Sequence, residues 1–331
     1  MSGFPRTPGR QTGCVIGAIA LAVVGSVIWS RGVRQAASDD QVFLNGLAPI
    51  GFASTRGHCR DGQLTTGHNR YDYSLEGGLK LTLGDVKDVV IVAHGLNNSE
   101  MKAENRFGLA RESLQINGFR GLVVGWSWDG STNWDPFGAT GYHEAKHNAI
   151  ANGPKLARFL LDLHAASPKT RIHLIGYSMG ARLVAETVLA LDTDPKLDPA
   201  GWRVDTVHML GAAIDDEELQ IDSKYGRAIE RRVGTLFNYY SPNDDKLGKF
   251  FPIKDGDRAV GRDDLEDAAK APQNYVSRNV SSELKAVGDG GRLDPSGALG
   301  RNHSGYLGLR DDRGIWLDDG AMNVVAHDFG P

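Results

Sequence analysis

Short apolar runs alternate along the chain with stretches whose apolar residues recur at helical spacing. The apolar runs, each of a length suited to a buried strand, are Asp88–Ala93, Gly121–Trp126, Ile172–Ile175, Val204–Leu210 and Val233–Tyr240. Helical spacing instead marks Ala145–Ala165 and Ala181–Leu191. Strands that alternate with helices predict an α/β fold with a mostly parallel central sheet and helices on both faces.

The same pattern predicts one large domain, residues 42–331. Its first part, Val42–Leu83, has the character of an antiparallel start to the sheet. The charged segment Lys249–Ala271 reads as a surface excursion and not as a separate cap domain. No internal repeat or low-complexity tract interrupts the domain.

The N-terminal part has a different character. A basic tail (residues 1–12) precedes an apolar segment (13–30) and a polar linker (31–41). Cys14–Trp29 carries no charge. As a helix with a rise of ~1.5 Å per residue it would be ~24 Å long, which is shorter than the ~30 Å of a usual membrane-spanning helix of ~20 residues. We expect a short single-pass membrane anchor with the catalytic domain on the extracytoplasmic side. The alternative is a signal peptide, with secretion after its cleavage.

Composition narrows the function classes. The chain has 331 residues and a formal net charge of -4, so no overall basic character indicates nucleic-acid binding. The only cysteines, Cys14 and Cys59, do not provide a disulfide framework or a cysteine metal site. The oligomeric state cannot be read from these features.

The most informative motif is Gly176-Tyr177-Ser178-Met179-Gly180, between a predicted strand and a predicted helix. This is the G-x-S-x-G sequence of a nucleophile elbow, in which a serine lies at the apex of a sharp, strained turn. Residues two before and two after the serine must lack side chains, and glycine meets that requirement. The motif predicts a serine hydrolase with Ser178 as the nucleophile.

A nucleophilic serine needs an acid and a histidine base. When the serine lies on a strand-to-helix elbow of this kind, the acid and then the histidine follow it along the chain. Asp244, in the turn after the strand that ends at Tyr240, is the predicted acid, and Asp245 is the second choice. Asp215 also closes a strand and is the alternative acid.

Two histidines follow these acids, His303 and His327. His303 follows a glycine-rich loop, Gly288–Gly300, that can deliver it to the ends of the strands. His327 lies near the end of the chain, where fraying is expected. His303 is therefore the predicted base.

The charge that develops on the substrate oxygen needs two backbone N–H donors. Met179, directly after the nucleophile, is expected to supply one. Leu96, in the His94-Gly95-Leu96 segment after an earlier strand, is expected to supply the other. His94 itself is expected to be structural.

Residues 89–306 resemble the α/β-hydrolase superfamily, and within it the lipase- and esterase-like members. The segments that carry the resemblance are Ala93-His94-Gly95, Trp126-Ser127, the set Tyr142, Ala145, Asn148, Gly153, Leu156 and Ala157, Ile175–Arg182, and Tyr240–Asp244. The resemblance implies an α/β-hydrolase fold and hydrolysis of a small-molecule or lipid-like acyl ester without a cofactor.

Two details of the resemblance bear on the acid. The Tyr240–Leu247 stretch looks most like poorly characterised bacterial hydrolases in which the aspartate of a Ser-x-Asn-Asp turn is the triad acid, which implies Asp244. In animal-type lipases the acid follows the preceding strand, and this keeps Asp215 as the alternative.

Two other function classes remain open. His143-Glu144-Ala145-Lys146-His147 matches H-E-x-x-H, which places two imidazoles on one helix face for zinc, but no third ligand has a recognisable spacing. His58, Cys59 and His68 are loop residues that could also bind metal, although we predict no metal site. A non-catalytic binding module on a hydrolase fold is the other alternative.

Aromatic residues crowd the loop after the second predicted strand. They are Trp126, Trp128, Trp134 and Phe137. The sequence is compatible either with the lining of an apolar acyl pocket or lid, or with packing over the end of the sheet.

Overall fold

The computed structural model describes residues 50–130, 139–197, 200–284, 301–310 and 316–330. In chain order, its elements are β1 (Phe52–Ser54), β2 (Cys59–Arg60), β3 (Gln63–Leu64), β4 (Ser74–Glu76), β5 (Asp88–Ala93), α1 (Glu100–Ile116), β6 (Leu122–Ser127), α2 (Ala139–Ala166), β7 (Arg171–Tyr177), α3 (Met179–Thr193), β8 (Val204–Leu210), α4 (Gly226–Arg232), β9 (Val233–Tyr240), α5 (Asp245–Asp255), α6 (Val260–Asp263), a 3₁₀ turn (Ala268–Lys270), β10 (Tyr275–Asn279), α7 (Arg301–Ser304), β11 (Leu309–Arg310), β12 (Trp316–Asp318) and α8 (Met322–His327).

Eight strands form one sheet in the order β10-β9-β8-β7-β5-β6-β1-β4. All neighbouring pairs are parallel except β1 and β4. The predicted α/β fold with a mostly parallel sheet is therefore confirmed.

The β5 strand shows how the sheet is buried on both faces. Val89 and Ile91 point into a core that includes the apolar residues of α2 and α3. Val90 and Val92 point into a second core, which α1 and α8 complete on the opposite face. A parallel strand that is covered on both faces has a continuous apolar sequence. This is why β5 could be predicted from the sequence.

The expected antiparallel start of the sheet is only partly correct. β1 pairs in parallel with β6, with Ala53 opposite Trp126, and only β4 runs antiparallel, with Leu75 opposite Ala53. Both strands have three residues, too few for a hydrophobic pattern that could fix their direction.

The predicted basic tail, apolar segment and linker (residues 1–41) lie outside the described residues. The described helices include none with both the length and the apolar character needed to cross a bilayer.

Parallel strands deliver their carboxyl ends to one edge of the sheet, where α/β proteins place ligand sites. Ala93, Tyr177 and Tyr240 end β5, β7 and β9 at that edge. The segments that follow these three strands carry the predicted oxyanion donor, nucleophile and acid.

Candidate active site

Ser178 occupies the sharp turn between β7 and α3. Its backbone has φ 56° and ψ -123°, a positive-φ conformation that is strained for a residue with a side chain. A Cβ atom on Gly176 would lie 2.6 Å from Cα of Ala181, and one on Gly180 would lie 2.3 Å from the carbonyl oxygen of Ala93. The two glycines are therefore required by the close approach of the backbone on both sides of the serine.

The structure brings Ser178, His303 and Asp244 into one hydrogen-bonded chain. Nε2 of His303 lies 2.8 Å from Oγ of Ser178, and Nδ1 of His303 lies 2.6 Å from Oδ2 of Asp244. All three side chains are buried. An imidazole in this position can accept the serine proton at Nε2 while the carboxylate holds its other nitrogen protonated.

Asp244 reaches this position through the turn after β9. Its N–H donates to the carbonyl oxygen of Ser241, 2.9 Å away, and its Oδ1 accepts the Leu247 N–H at 2.9 Å as the N-cap of α5. The cap fixes the side-chain rotamer, which leaves Oδ2 for His303.

Backbone contacts hold His303 in place. The hydroxyl of Tyr177 donates to the carbonyl oxygen of His303 at 2.8 Å, and the side-chain amide of Asn302 donates to the carbonyl oxygen of Asn243 at 2.9 Å. These bonds tie the α7 segment to the nucleophile strand and to the acid turn. The glycine-rich Gly288–Gly300 loop that precedes His303 lies outside the described residues.

The other candidate acids lie elsewhere. Oδ2 of Asp215 lies 3.6 Å from Nη2 of the buried Arg182, and burial raises the pKa of Asp215 to about 6. Asp245 lies 3.7 Å from the ammonium of Lys249. Neither carboxylate contacts His303 within the described residues.

The alternative base, His327, also lies apart from the other candidate residues. It ends α8 with an exposed side chain. No contact joins it to Ser178 in the described part of the chain.

The proposed oxyanion donors are both available. The N–H groups of Leu96 and Met179 donate to none of the described residues, and both residues line the cavity that contains Ser178 and His303. Gly95 permits the close approach of this loop, since a Cβ atom there would lie 2.9 Å from Cβ of Ser178.

The peptide between Gly95 and Leu96 is held by two side chains. The carbonyl oxygen of Gly95 accepts from Nδ1 of His94 and from Nδ2 of Asn98, each at 2.9 Å. In a planar trans peptide the C=O and the N–H point in opposite directions. Because the carbonyl is held on one side, the Leu96 N–H is fixed on the other.

His94 is buried and neutral. Its Nε2 accepts the N–H of Trp128 at 3.2 Å and lies 3.2 Å from Nη2 of Arg56, so the ring proton is assigned to Nδ1. Burial, and then the nearby Arg56 guanidinium, lower the pKa of His94 to about 3. The expected structural role of His94 thus takes a specific form, which is to orient the Gly95 carbonyl.

Sequence reasoning did not identify Arg56 and Asn98 in this arrangement. Arg56 lies 38 positions before His94 and also donates to the carbonyl oxygen of Asn98 at 3.1 Å. Neither residue belongs to a motif. Asn98 lies in the loop after β5 itself, three residues after Gly95, whereas only the tertiary fold brings Arg56 to that loop.

The H-E-x-x-H residues lie on the surface of α2. His143 and His147 are exposed, and Nδ1 of His147 lies 2.7 Å from Oδ1 of Asp61. No cluster of three metal-ligating side chains among the described residues includes His143, Glu144 or His147. The α2 surface therefore offers no third ligand to complete a zinc site there.

A different histidine pair comes close to an aspartate. His58 and His68 stack with ring centroids 3.7 Å apart beside Asp72, and their ligand atoms lie within 4.8 Å of one another. The buried ammonium of Lys155 lies 2.5 Å from Oδ1 of Asp72 and supplies its counter-charge. Cys59, buried next to His58 in the chain, is not part of this cluster.

A cavity of about 230 Å³ opens beside the nucleophile. Its walls come from the oxyanion loop, the elbow, the His303 segment and α5. The first part of the charged Lys249–Ala271 segment is largely exposed, with Ile253 77% exposed, and it also contributes to this cavity. Phe250 and Phe251 of α5 line the cavity, and Phe251 is buried.

The described tryptophans of the aromatic cluster pack inside the fold. Trp128 stacks on His94 with ring centroids 5.4 Å apart, and Trp126 lies 5.6 Å from the ring of Phe159 in the core. The packing alternative holds for these two residues. Trp134 and Phe137 lie outside the described residues.

Comparison with known proteins adds a family and a solved structure. Residues 76–299 match the model of a family described as alpha/beta hydrolase of unknown function (DUF900), a range that contains Ser178 and Asp244 and ends just before His303. Among solved structures, the chain is similar to a Trichoderma reesei cutinase in complex with a C11Y4 phosphonate inhibitor. The two are 16% identical, with a TM-score of 0.27, over 61% of this chain and 69% of the cutinase. No curated protein matches the chain.

Proposed function

The chain belongs to the DUF900 family of α/β hydrolases, and we propose that it is a serine hydrolase that cleaves a carboxylic ester, or a related acyl bond, through an acyl-enzyme on Ser178. The observation that carries the proposal is the pair of contacts of 2.8 Å and 2.6 Å that link Ser178, His303 and Asp244. A serine hydroxyl is a weak nucleophile unless a base lies within ~2.6–3.2 Å. Both contacts are short enough for proton transfer and orientation.

The geometry supports a two-step reaction. Nε2 of His303 takes the proton of Ser178 as Oγ attacks the carbonyl carbon, and the imidazolium then gives that proton to the departing alkoxide. A water molecule, deprotonated by the same nitrogen, then attacks the acyl-enzyme. Oγ of Ser178 departs and takes that proton back from the imidazolium, and the acid is released. The carboxylate of Asp244, in contact with Nδ1 of His303, stabilises the imidazolium.

The oxyanion of each tetrahedral intermediate is proposed to lie between the N–H groups of Leu96 and Met179. Both donors are fixed before the reaction, one by the held Gly95 carbonyl and the other by the start of α3. Preorganised donors contribute typically ~10²–10³-fold each because they need no rearrangement as charge develops.

The two other function classes have less support. A zinc hydrolase would require a third ligand near His143 and His147, and the described residues offer none. A non-catalytic binding module would not need a serine in a strained conformation with a base in hydrogen-bond contact.

Labelling with a fluorophosphonate probe tests this function. The probe should react with the wild-type protein and should not react with Ser178→Ala, while His303→Ala should label far more slowly. Ser167→Ala is the matched control, because Ser167 is a buried serine whose Oγ donates to the carbonyl oxygen of Leu81 at 3.0 Å, and this variant should label like wild type. Equal labelling of wild type and Ser178→Ala would refute the assignment.

We also propose that Cys14–Trp29 anchors the protein in a membrane, with the catalytic domain on the extracytoplasmic side. The support is the uncharged run itself, flanked by arginines on both sides. Secretion after cleavage of this segment is the alternative.

A further inference from the structure

One face of α5 forms a wall of the cavity beside Ser178. Lys246, Phe250 and Lys254 follow one another at intervals of four, and Leu247 and Phe251 lie next to them on the same face. Residues at this spacing share one side of a helix. The wall is thus apolar with lysine side chains at its edge.

No carboxylate among the described residues is in direct contact with the ammonium of Lys246, although Asp244 attracts it at longer range. Lys246 makes no hydrogen bond and no ion pair there, although it lines the cavity and is only partly exposed. The acidic side chains nearest in sequence are already engaged, Asp244 with His303 and Asp245 with Lys249. An ammonium that is partly removed from water without a carboxylate is unfavourable unless something else supplies the anion.

A second cation lies close to the same site. The guanidinium carbon of Arg106 lies 5.9 Å from the ring centroid of Tyr177, and its Nη1 lies 3.5 Å from the carbonyl oxygen of Ser304. Burial lowers the pKa of Lys246, Arg106 lowers it further, and Asp244 acts in the opposite direction. Lys246 and Arg106 are thus two cations near Ser178, and Asp244 is the carboxylate that acts on Lys246.

We propose that the cavity binds an ester that carries an anionic group near the scissile bond, and that Lys246 binds that group. This inference rests on the proposed function and names its substrate class. The cavity, at about 230 Å³, is smaller than the ~300–1,000 Å³ of typical drug-sized sites, so the ligand is a short chain. The anion is a carboxylate at the end of the acyl chain or a phosphate on the alcohol.

Two pairs of substrates distinguish an anion on the acyl chain from an anion on the alcohol. The p-nitrophenyl ester of pentanoate and the mono-p-nitrophenyl ester of glutarate differ because a carboxylate replaces the terminal methyl group. Glycerol monopentanoate and its 3-phosphate differ by a phosphate on the alcohol side. For each pair, the measured quantity is the ratio of kcat/KM for the anionic ester to kcat/KM for the neutral ester.

Three variants of α5 give the test its controls. Lys246→Met keeps the length of the side chain and removes its charge, Lys246→Arg keeps the charge, and Lys249→Met makes the same charge change on the exposed side of the helix. We expect the ratio for one pair to favour the anionic ester in wild type. Lys246→Met should lower that ratio about tenfold or more, the scale of a charged hydrogen bond, while Lys246→Arg and Lys249→Met retain it.

Thermal unfolding adds a second readout. If Lys246 serves to bind a ligand and does not stabilise the fold, Lys246→Met removes a charge that has no direct partner. The Tm of this variant should then equal or exceed the Tm of the wild type. A lysine that serves the fold would lower the Tm on removal.

The outcomes separate this inference from the proposed function. Hydrolysis of the neutral esters with the same ratios in wild type and Lys246→Met would overturn the anionic subsite and leave the serine hydrolase intact. The same holds if wild type discriminates against both anionic esters. Absence of hydrolysis and of fluorophosphonate labelling in a folded protein would overturn both.

Discussion

Asp244 contacts His303 and caps α5 with the same carboxylate. Its Oδ2 lies 2.6 Å from Nδ1 of His303, while its Oδ1 accepts the Leu247 N–H at 2.9 Å. The helix that caps on Asp244 also lines the cavity beside Ser178 through Phe250 and Phe251. The acid and the cavity wall are therefore positioned by one local structure.

Asp244→Asn should fold and lose most of its activity. An asparagine oxygen can still cap α5, but its NH₂ group then faces Nδ1 of His303 and favours the wrong imidazole tautomer. We expect kcat to fall by about 10⁴-fold with a residual rate, against about 10⁶-fold for Ser178→Ala or His303→Ala. Steady-state kinetics on a p-nitrophenyl ester measure all three.

Asp215→Asn and His327→Ala are the matched comparisons, and both should stay within about threefold of the wild-type kcat. Asp215 contacts Arg182 instead of His303, and His327 is exposed on α8. A nearly inactive Asp215→Asn beside an active Asp244→Asn would move the acid to the end of β8.

The nucleophile turn and the central strands could be predicted because their signals are local. Gly176 and Gly180 have no room for a side chain, because an added Cβ would lie 2.6 Å and 2.3 Å, respectively, from a backbone atom. The five-residue motif contains both glycines, so this requirement can be recognised in the sequence. Strands β5 to β9 are buried on both faces, so each appears as an apolar run. The expected order of Ser178, Asp244 and His303 came from the order of triad residues that accompanies the G-x-S-x-G elbow in α/β hydrolases.

The wall of the cavity and the support of the oxyanion loop could not be predicted in the same way. The sequence of α5 mixes lysines with Leu247, Phe250 and Phe251, a pattern that is typical of an ordinary surface helix. Only the structure shows that one face of this helix lies beside Ser178. Arg56 reaches His94 and Asn98 only through the tertiary fold. No periodicity or motif marks such contacts in one sequence.

Activity should not depend on a metal ion at the H-E-x-x-H sequence. His143 and His147 are exposed, and His147 is engaged with Asp61. We expect Glu144→Gln to keep kcat within about threefold of wild type, because a partly exposed glutamate away from Ser178 has no part in the proposed reaction. Extensive chelation should also leave turnover unchanged. Stoichiometric zinc together with loss of activity on chelation, restored by zinc, would favour a zinc hydrolase.

The apolar N-terminal segment should anchor the protein without being needed for catalysis. Full-length protein is expected to sediment with membranes, and a truncated protein of residues 42–331 should stay in the supernatant with the same kcat/KM on a short p-nitrophenyl ester. The physical reason is that the proposed site lies wholly on segments of the catalytic domain. Full-length protein found in the soluble fraction without its N-terminus would instead identify a cleaved signal.

The hydrogen bond from His94 to the Gly95 carbonyl predicts that substitutions of His94 lower activity to different extents. His94→Ala removes the donor to the Gly95 carbonyl, so the Leu96 N–H loses its fixed direction. His94→Asn retains an N–H donor close to the position of Nδ1. We expect kcat to fall about tenfold to hundredfold in His94→Ala and less in His94→Asn, with KM changed little in both. A fall in His94→Asn as large as that in His94→Ala would argue for a general packing role.

The buried neutral imidazole of His94 also predicts how stability depends on pH. Its pKa is about 3 in the folded protein and 6.5 in an unfolded chain, so between these values the unfolded state binds a proton that the folded state does not. The free energy of unfolding therefore falls as pH is lowered through 6.5, by about 2 kcal/mol between pH 7 and pH 5 from this group alone. His94→Asn lacks this titration. Urea unfolding at pH 7 and pH 5 should show a loss of stability about 2 kcal/mol larger in wild type than in His94→Asn, and equal losses would mean that His94 accepts a proton in the folded state.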